Sequence, residues 1–324
     1  MEPLLDIRGL RTYFFLRHAV VKAVNDVHLS VFPGEMVGLV GETGSGKSVT
    51  ALSVLRLIQP PGRVISGEII FQGRNLLALS EAEMNNSVRG RAITMIFQNP
   101  RSCLNPVLTA GTQIARVYQT HCGGTTRQAR ERALEFLRLV QIPDPESVFN
   151  RYPHQLSGGM CQRVMIAMAL ICEPALVIAD EATTGLDVTV QDQILTLMRE
   201  LRNKTHTAQL FITHDLGVVA ETCDRVLVMY SGRIVEAGAV NEVYARPLHP
   251  YTSALLNSVP DLRKDSRPRS IPGEVPDPRN LPPGCPFHPR CDRCTDMCRV
   301  QEPILVSRGG SRQVACHASV QTEE

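Results

Sequence analysis

Gly41-Glu42-Thr43-Gly44-Ser45-Gly46-Lys47-Ser48 has the form G-x-x-x-x-G-K-[ST]. The apolar run MVGLV precedes it and the helix-patterned SVTALSVLRLI follows, which is the context in which such a loop cradles phosphates. A triphosphate is densely anionic. Glycines let backbone N–H groups turn toward it, and the helix that follows adds its positive end. Lys47 is placed to reach the β- and γ-phosphates. Ser48 offers a hydroxyl to Mg²⁺, a hard cation that prefers oxygen donors. A triphosphate and Mg²⁺ are therefore the expected ligands.

Two further stretches carry compatible chemistry. LVIADE (176–181) is an apolar run of strand length ending in two acids. Open α/β sheets bind ligands outside the carboxyl ends of their strands, which suits Asp180 to the metal's shell and Glu181 to orienting and deprotonating a water. In Leu156-Ser157-Gly158-Gly159-Met160-Cys161-Gln162-Arg163, the serine and glycines open the helix MCQRVMIAMALI. One chain thus holds a second helix end able to bind an anion.

The elements that must position these residues can be read from periodicity. Short strands are expected at LLDIRGL, AVNDVHLSV, EMVGLVG, GEIIFQG and AITMIFQ. RQARERALEFLRLV is helical in spacing, with Ala133, Phe136, Leu137 and Val140 on one face. LVIADE, an amphipathic helix over 188–201 and QLFIT (209–213) form a β-α-β crossover, and VLVMYSGRIVEAG turns as a hairpin at Ser231-Gly232. Composition shifts near Pro247, after which prolines at 260, 268, 272, 276, 278, 282, 283, 286 and 289 oppose regular structure. We expect a nucleotide-binding domain over 1–240, with a helical part at about 100–170, and an extension over 241–324. With 34 Lys+Arg against 32 Asp+Glu the net charge is +2, which disfavours nucleic acid as a partner held by charge. No run near the N-terminus is long enough to cross a membrane.

LSGGMCQR closely resembles the LSGGxxQR signature of ABC-transporter ATPase subunits. The resemblance implies an α/β P-loop ABC ATPase fold: a RecA-like core, an antiparallel β subdomain and an α-helical subdomain, here with a Pro/Cys-rich extension. It implies that two subunits pack head to tail, each nucleotide lying between one phosphate loop and the partner's counterpart of Ser157, Gly158 and Gly159. By the same resemblance Gln98 in IFQNP contacts Mg²⁺ and the attacking water, so Ser48, Gln98 and Asp180 form the Mg²⁺ set. Asp187 in TTGLD links the two sites, and His214 in FITHD holds the γ-phosphate. An aromatic stacked on adenine is expected early, with Phe14 chosen over Tyr13 and Phe15. Ala182 and Gly185 replace the usual proline and alanine of this region, and Cys161 stands where arginine is common. Glu181 is intact, so the departure bears on the rigidity of the 182–187 loop and not on the chemistry.

Arg246-Pro247-Leu248-His249-Pro250-Tyr251-Thr252-Ser253-Ala254-Leu255-Leu256, IPGEVP and GCPFHPRC resemble segments of the dipeptide/oligopeptide and nickel importer ATPases, as does SCLNPVLTAGTQI, expected to receive a permease's cytoplasmic helix. The implied function is ATP hydrolysis driving import of di- and oligopeptides. Alternatives are nickel, glutathione or another small solute and, from a different class, a soluble ABC ATPase acting on nucleic acid or ribosomes. Implied partners are two membrane permeases, a second related ATPase subunit in a heterodimer and, through the permeases, an external solute-binding protein. The implied location is peripheral, on the cytoplasmic face of the inner membrane. The tail cysteines are spaced C-x5-C-x2-C-x3-C-x17-C. On chemistry alone four thiolates could hold Zn²⁺ or an iron–sulfur cluster. The resemblance favours [4Fe-4S] on Cys285, Cys291, Cys298 and Cys316, with Cys294 as the extra thiol. A redox-sensing role for this tail is a third reading. Cys103, Cys122, Cys161, Cys172 and Cys223 are expected to pack as small residues.

Overall fold

A computed structural model describes residues 2–258 and 270–318. Pro260 and Pro268 lie outside the described residues. The chain divides into two compact units. One comprises Met1–Glu2, Val31–Glu35 and Ala78–Ile212; the other comprises Pro3–Ser30, Met36–Leu77 and Thr213 onward.

In the first unit, strands Ile93–Ile96, Leu176–Asp180 and Ala208–Ile212 lie parallel, the middle one entirely buried. Helix Val188–Thr205 is the expected crossover between the last two and buries Ile194, Leu195, Leu197, Met198 and Leu201. The helical part consists of Ala110–Cys122, Thr126–Leu139, Pro145–Phe149 and Gly158–Leu170. Thr109, Thr125, Asp144 and Ser157 each cap one of these helices by accepting a backbone N–H within the first turn. Gly111 is required by packing, because a Cβ there would stand 2.0 Å from the Phe149 ring. Gly111→Ala is expected to cost about 2 kcal/mol through overpacking, measurable as a lowered urea midpoint.

In the second unit, Val20–Val31, Leu5–Phe15, Gly62–Phe71 and Arg74–Asn75 form a four-stranded sheet in that order. Its Leu5–Phe15 and Gly62–Phe71 strands pair antiparallel. Buried Thr12 and Ser53 hydroxyls meet at 2.8 Å and tie this sheet to helix Lys47–Val54. Strand Met36–Val40 runs parallel to Arg225–Tyr230, which turns at Ser231-Gly232 into antiparallel Arg233–Ala239. The short strands Gln313–Val314 and Val306–Ser307 complete that edge.

The residues after 240 share a core with this hairpin. Val226, Val228, Tyr230 and Val235 pack with Val243, Tyr251, Cys285, Phe287 and Cys298. The shift near residue 247 is thus one of composition, while the hydrophobic cluster continues across it. His249 sits in this core, its ring Nδ1 accepting the Tyr251 N–H at 3.0 Å and its backbone N–H donating to Glu236 at 2.9 Å. Burial pushes its pKa down to about 3. The unfolded chain therefore binds more protons below about pH 6.5, so stability is full above that pH and is lost as pH falls toward 3. Denaturant titration should show a slope of up to about 1.4 kcal/mol per pH unit in that window, reduced in His249→Asn, whose amide oxygen can still accept the Tyr251 N–H.

Candidate functional site

The phosphate loop leaves the buried strand Met36–Val40 and enters helix Lys47–Val54. Gly46 opens that helix at φ 106°, a left-handed conformation, and a Cβ there would lie 2.2 Å from the Ala23 carbonyl oxygen. No side chain caps the helix, unlike the helix starts at Ser157, Asp187 and Asp215. Lys47 is buried, and its Nζ donates to the carbonyls of Gly41 at 2.7 Å and Glu42 at 3.0 Å and to Ser45 Oγ at 3.3 Å. Thr43, Gly44 and Ser48 are exposed. The loop is thus a concave run of backbone with a cation beneath it, a form suited to an oxyanion.

Sequence reasoning missed what holds the loop from outside. The Glu42 N–H donates to the Tyr251 hydroxyl at 2.8 Å, and the Glu42 carboxylate takes two bonds from Arg290, at 2.8 and 3.1 Å. The signal lay in the HPYT and HPRC segments, which carry Tyr251 and Arg290.

In the other unit, Ile96 pairs with Ala179, so chains leaving these parallel strands emerge at one end of the sheet. That register brings Gln98 and Glu181 together: Gln98 Nε2 donates to Glu181 Oε2 at 2.7 Å. Thr184 Oγ1 donates to the same oxygen at 3.3 Å. Glu181 has φ 48° and its N–H donates to the Ile212 carbonyl. Asp180 ends the strand 8% exposed. A carboxylate aimed by two donors, one of them an amide, is suited to accepting a proton from a water.

Ser157 caps helix Gly158–Leu170 by accepting the Met160 N–H at 3.2 Å. Gly159 permits close packing there, since a Cβ would lie 2.8 Å from Val190. Arg163 is buried within the helix and donates to the Val140 carbonyl at 2.7 Å and to Gln193 at 3.3 Å, which accounts for an arginine after Gln162. Burial lowers its pKa. Arg101 donates to the Leu156 carbonyl, joining the segment after Gln98 to the start of the signature. Asp187 caps helix Val188–Thr205 through the Val190 N–H at 2.9 Å. In the second unit, His214 is exposed and precedes Asp215, which caps the next helix. The Phe14 ring faces Gly62 and is half-buried, Tyr13 donates to Asn25, and exposed Phe15 lies under Arg63.

The tail cysteines converge. Burial, then the neighbouring thiols of Cys298, Cys316 and Cys291, push Cys285 up to about 12. Burial, with Cys316, Asp292 and Cys298, pushes Cys291 up to about 11. Backbone N–H groups of Phe287 and Arg293 donate to these two sulfurs. Cys294 instead directs its thiol to the Thr295 carbonyl. Among the described residues no three His, Cys, Asp or Glu side chains stand close enough to hold a single metal ion. Cys161 is buried and bonded to the Pro153 carbonyl, whereas Cys103 and Cys122 are exposed, against the packing expected of them. Each is the last residue of its helix, Pro100–Cys103 and Ala110–Cys122.

Residues 24–184 match the family described as ABC transporter, and residues 235–298 match the oligopeptide/dipeptide transporter C-terminal region. The chain is 54% identical to a probable peptide ABC transporter ATP-binding protein, y4tR of Sinorhizobium fredii, over 98% of this chain and 96% of that protein. It is 46% identical to the oligopeptide transport ATP-binding protein AppD of Bacillus subtilis, over 98% and 97%. With the dipeptide transport ATP-binding protein DppD of Escherichia coli the identity is 47% over 97% and 96%. Among solved structures, the dimeric ATP-binding cassette MJ0796, in a post-hydrolysis state with ADP and Pi, superposes with a TM-score of 0.65. It is 26% identical and covers 73% of this chain and 98% of that one.

Proposed function

The chain belongs to the ABC transporter family, among the ATP-binding subunits that carry the oligopeptide/dipeptide C-terminal region, and we propose on that premise that it hydrolyses ATP to power import of di- and oligopeptides. The observation that carries the chemistry is the Gln98–Glu181 hydrogen bond at the ends of paired parallel strands. Glu181 takes a proton from a water held with Gln98. The water oxygen bonds to the γ-phosphorus while the bond to the β–γ bridging oxygen breaks and ADP departs. Lys47 and His214 donate to the γ-phosphate oxygens, and the backbone of residues 43–48 cradles the rest. Ser48, Asp180 and Gln98 would hold Mg²⁺, which would neutralise charge on the leaving phosphates. The exposed hydroxyl of Ser48 and the carboxylate of Asp180 are the oxygen donors this cation takes. Phe14 packs against adenine.

A second, related ATPase subunit supplies its counterpart of Ser157, Gly158 and Gly159 to the nucleotide, with Asp187 linking the two sites. ATP closes this pair and hydrolysis reopens it. Two permeases receive that motion at the loop after Gln98. There Gln113 braces the backbone through Asn105 and Leu108, and Val107 is 74% exposed. An external binding protein delivers the solute. On this reading the chain sits peripherally on the cytoplasmic face of the inner membrane; among the described residues no helix is long and apolar enough to cross a membrane.

Cys285, Cys291, Cys298 and Cys316 hold a [4Fe-4S] cluster on this reading. The thiols of Cys285 and Cys291 resist ionising unless a cationic centre joins them, and backbone N–H bonds to these two sulfurs favour the thiolate. Purified aerobically and anaerobically, the chain should carry iron and acid-labile sulfide with visible absorbance; stoichiometric zinc without iron would replace the cluster. For transport, a strain lacking the chain should regain uptake of labelled dipeptide with the wild-type gene and not with Glu181→Gln. Restoration of nickel or glutathione uptake alone would reassign the cargo.

A further inference from the structure

We infer that Arg290 and Tyr251 of the C-terminal extension are positioning residues for ATP, acting through Glu42 on the phosphate loop. The inference rests on the reading of residues 41–48 as a phosphate cradle. Arg290 has a side chain only 3% exposed, and its guanidinium is committed throughout. Nε donates to the Pro272 carbonyl at 2.9 Å, Nη1 to Glu42 and to the Tyr230 hydroxyl, and Nη2 to the other Glu42 oxygen. A two-point grip of this kind fixes a carboxylate in angle as well as in distance. Tyr251, fully buried against Tyr230 and Phe287, receives the Glu42 N–H. The backbone of Glu42 is thus held from behind, and the donors that face a phosphate begin at residue 43.

Two consequences reach the nucleotide. Lys47 Nζ is seated partly on the Glu42 carbonyl, so the cation's position depends on how Glu42 is held. Glu42 also places a carboxylate inside a loop meant for anions, where an unpaired negative charge would repel a triphosphate. Arg290 cancels that charge. The extension, 248 residues away in sequence, is on this account a structural part of the phosphate loop.

The test uses the full-length chain in its native membrane complex, measuring KM for ATP and kcat for Arg290→Ala, Arg290→Lys, Tyr251→Phe and the pair Glu42→Gln with Arg290→Ala, with melting temperatures alongside. Arg290→Ala should raise KM about tenfold with a much smaller change in kcat, the scale of a lost charge-assisted pair. Arg290→Lys and Tyr251→Phe should raise it about threefold. Adding Glu42→Gln to Arg290→Ala should bring KM most of the way back, because the repulsive charge is gone. A role in stability alone predicts lower melting temperatures with KM unmoved and no rescue, and either result overturns the inference. Should Arg290→Ala fold too poorly to assay, Tyr251→Phe and Arg290→Lys decide by the same criterion. Lys47→Ala separates the two readings: retained ATP binding there would remove the phosphate-cradle reading itself. Lost binding in Lys47→Ala with an unchanged KM in the Arg290 variants would remove only the role given to the extension.

Discussion

Glu181→Gln should bind ATP as tightly as the unaltered chain and hydrolyse it roughly 10²–10⁴-fold more slowly, the span expected when a general base is lost. The amide has the size and shape of the carboxylate. It keeps an oxygen for the Gln98 donor at 2.7 Å and the Thr184 donor at 3.3 Å, so the local geometry survives while proton acceptance does not. The effect should fall on kcat, since the interaction lost is made in the transition state. Single-turnover quench of the assembled complex separates this from slow product release. A variant that turns over at the original rate would falsify the assignment of Glu181.

Lys47→Ala should act at the preceding step. The ammonium is buried under the loop and held by two carbonyls and a hydroxyl, so its removal takes away both a unit of charge facing the phosphates and the anchor of residues 41, 42 and 45. A loss of ATP affinity of at least about 100-fold is expected, equivalent to some 2.7 kcal/mol. Equilibrium titration with a fluorescent ATP analogue measures it directly. Lys47→Arg should rescue poorly, because the larger planar guanidinium does not fit a seat built for a compact ammonium. Together the two variants divide the site: one binds without turning over, the other fails to bind.

Much of this site could be read before any coordinates. The phosphate loop depends on a strand, a glycine-rich turn and a helix start that adjoin one another in the chain, and short-range residue types report such geometry. The same holds for Ser157, which opens its helix by bonding a backbone N–H three residues on, whereas the equally local caps at Asp187 and Asp215 went unread. Family membership and the ATPase role followed from the signature and the HPYT segment, and the relatives bear both out. Arg163 shows where local reading stopped. Its neighbours in sequence say only that it lies on a helix, whereas its function there is to satisfy the carbonyl of Val140, the residue that caps the end of a different helix.

The order of strand, glycines and helix along the chain determined the form of the loop over residues 41–48, because the buried strand before it and the helix after it adjoin it in sequence. It did not determine that Gln98 would touch Glu181, 83 residues on, which needed the register of two parallel strands. Nor did it determine that Arg290 would neutralise Glu42. That contact exists because Tyr230, Tyr251 and Phe287 pack the proline-rich extension against the hairpin. Burial of aromatic surface is indifferent to sequence distance, and only the packed structure reveals which distant charges it leaves face to face.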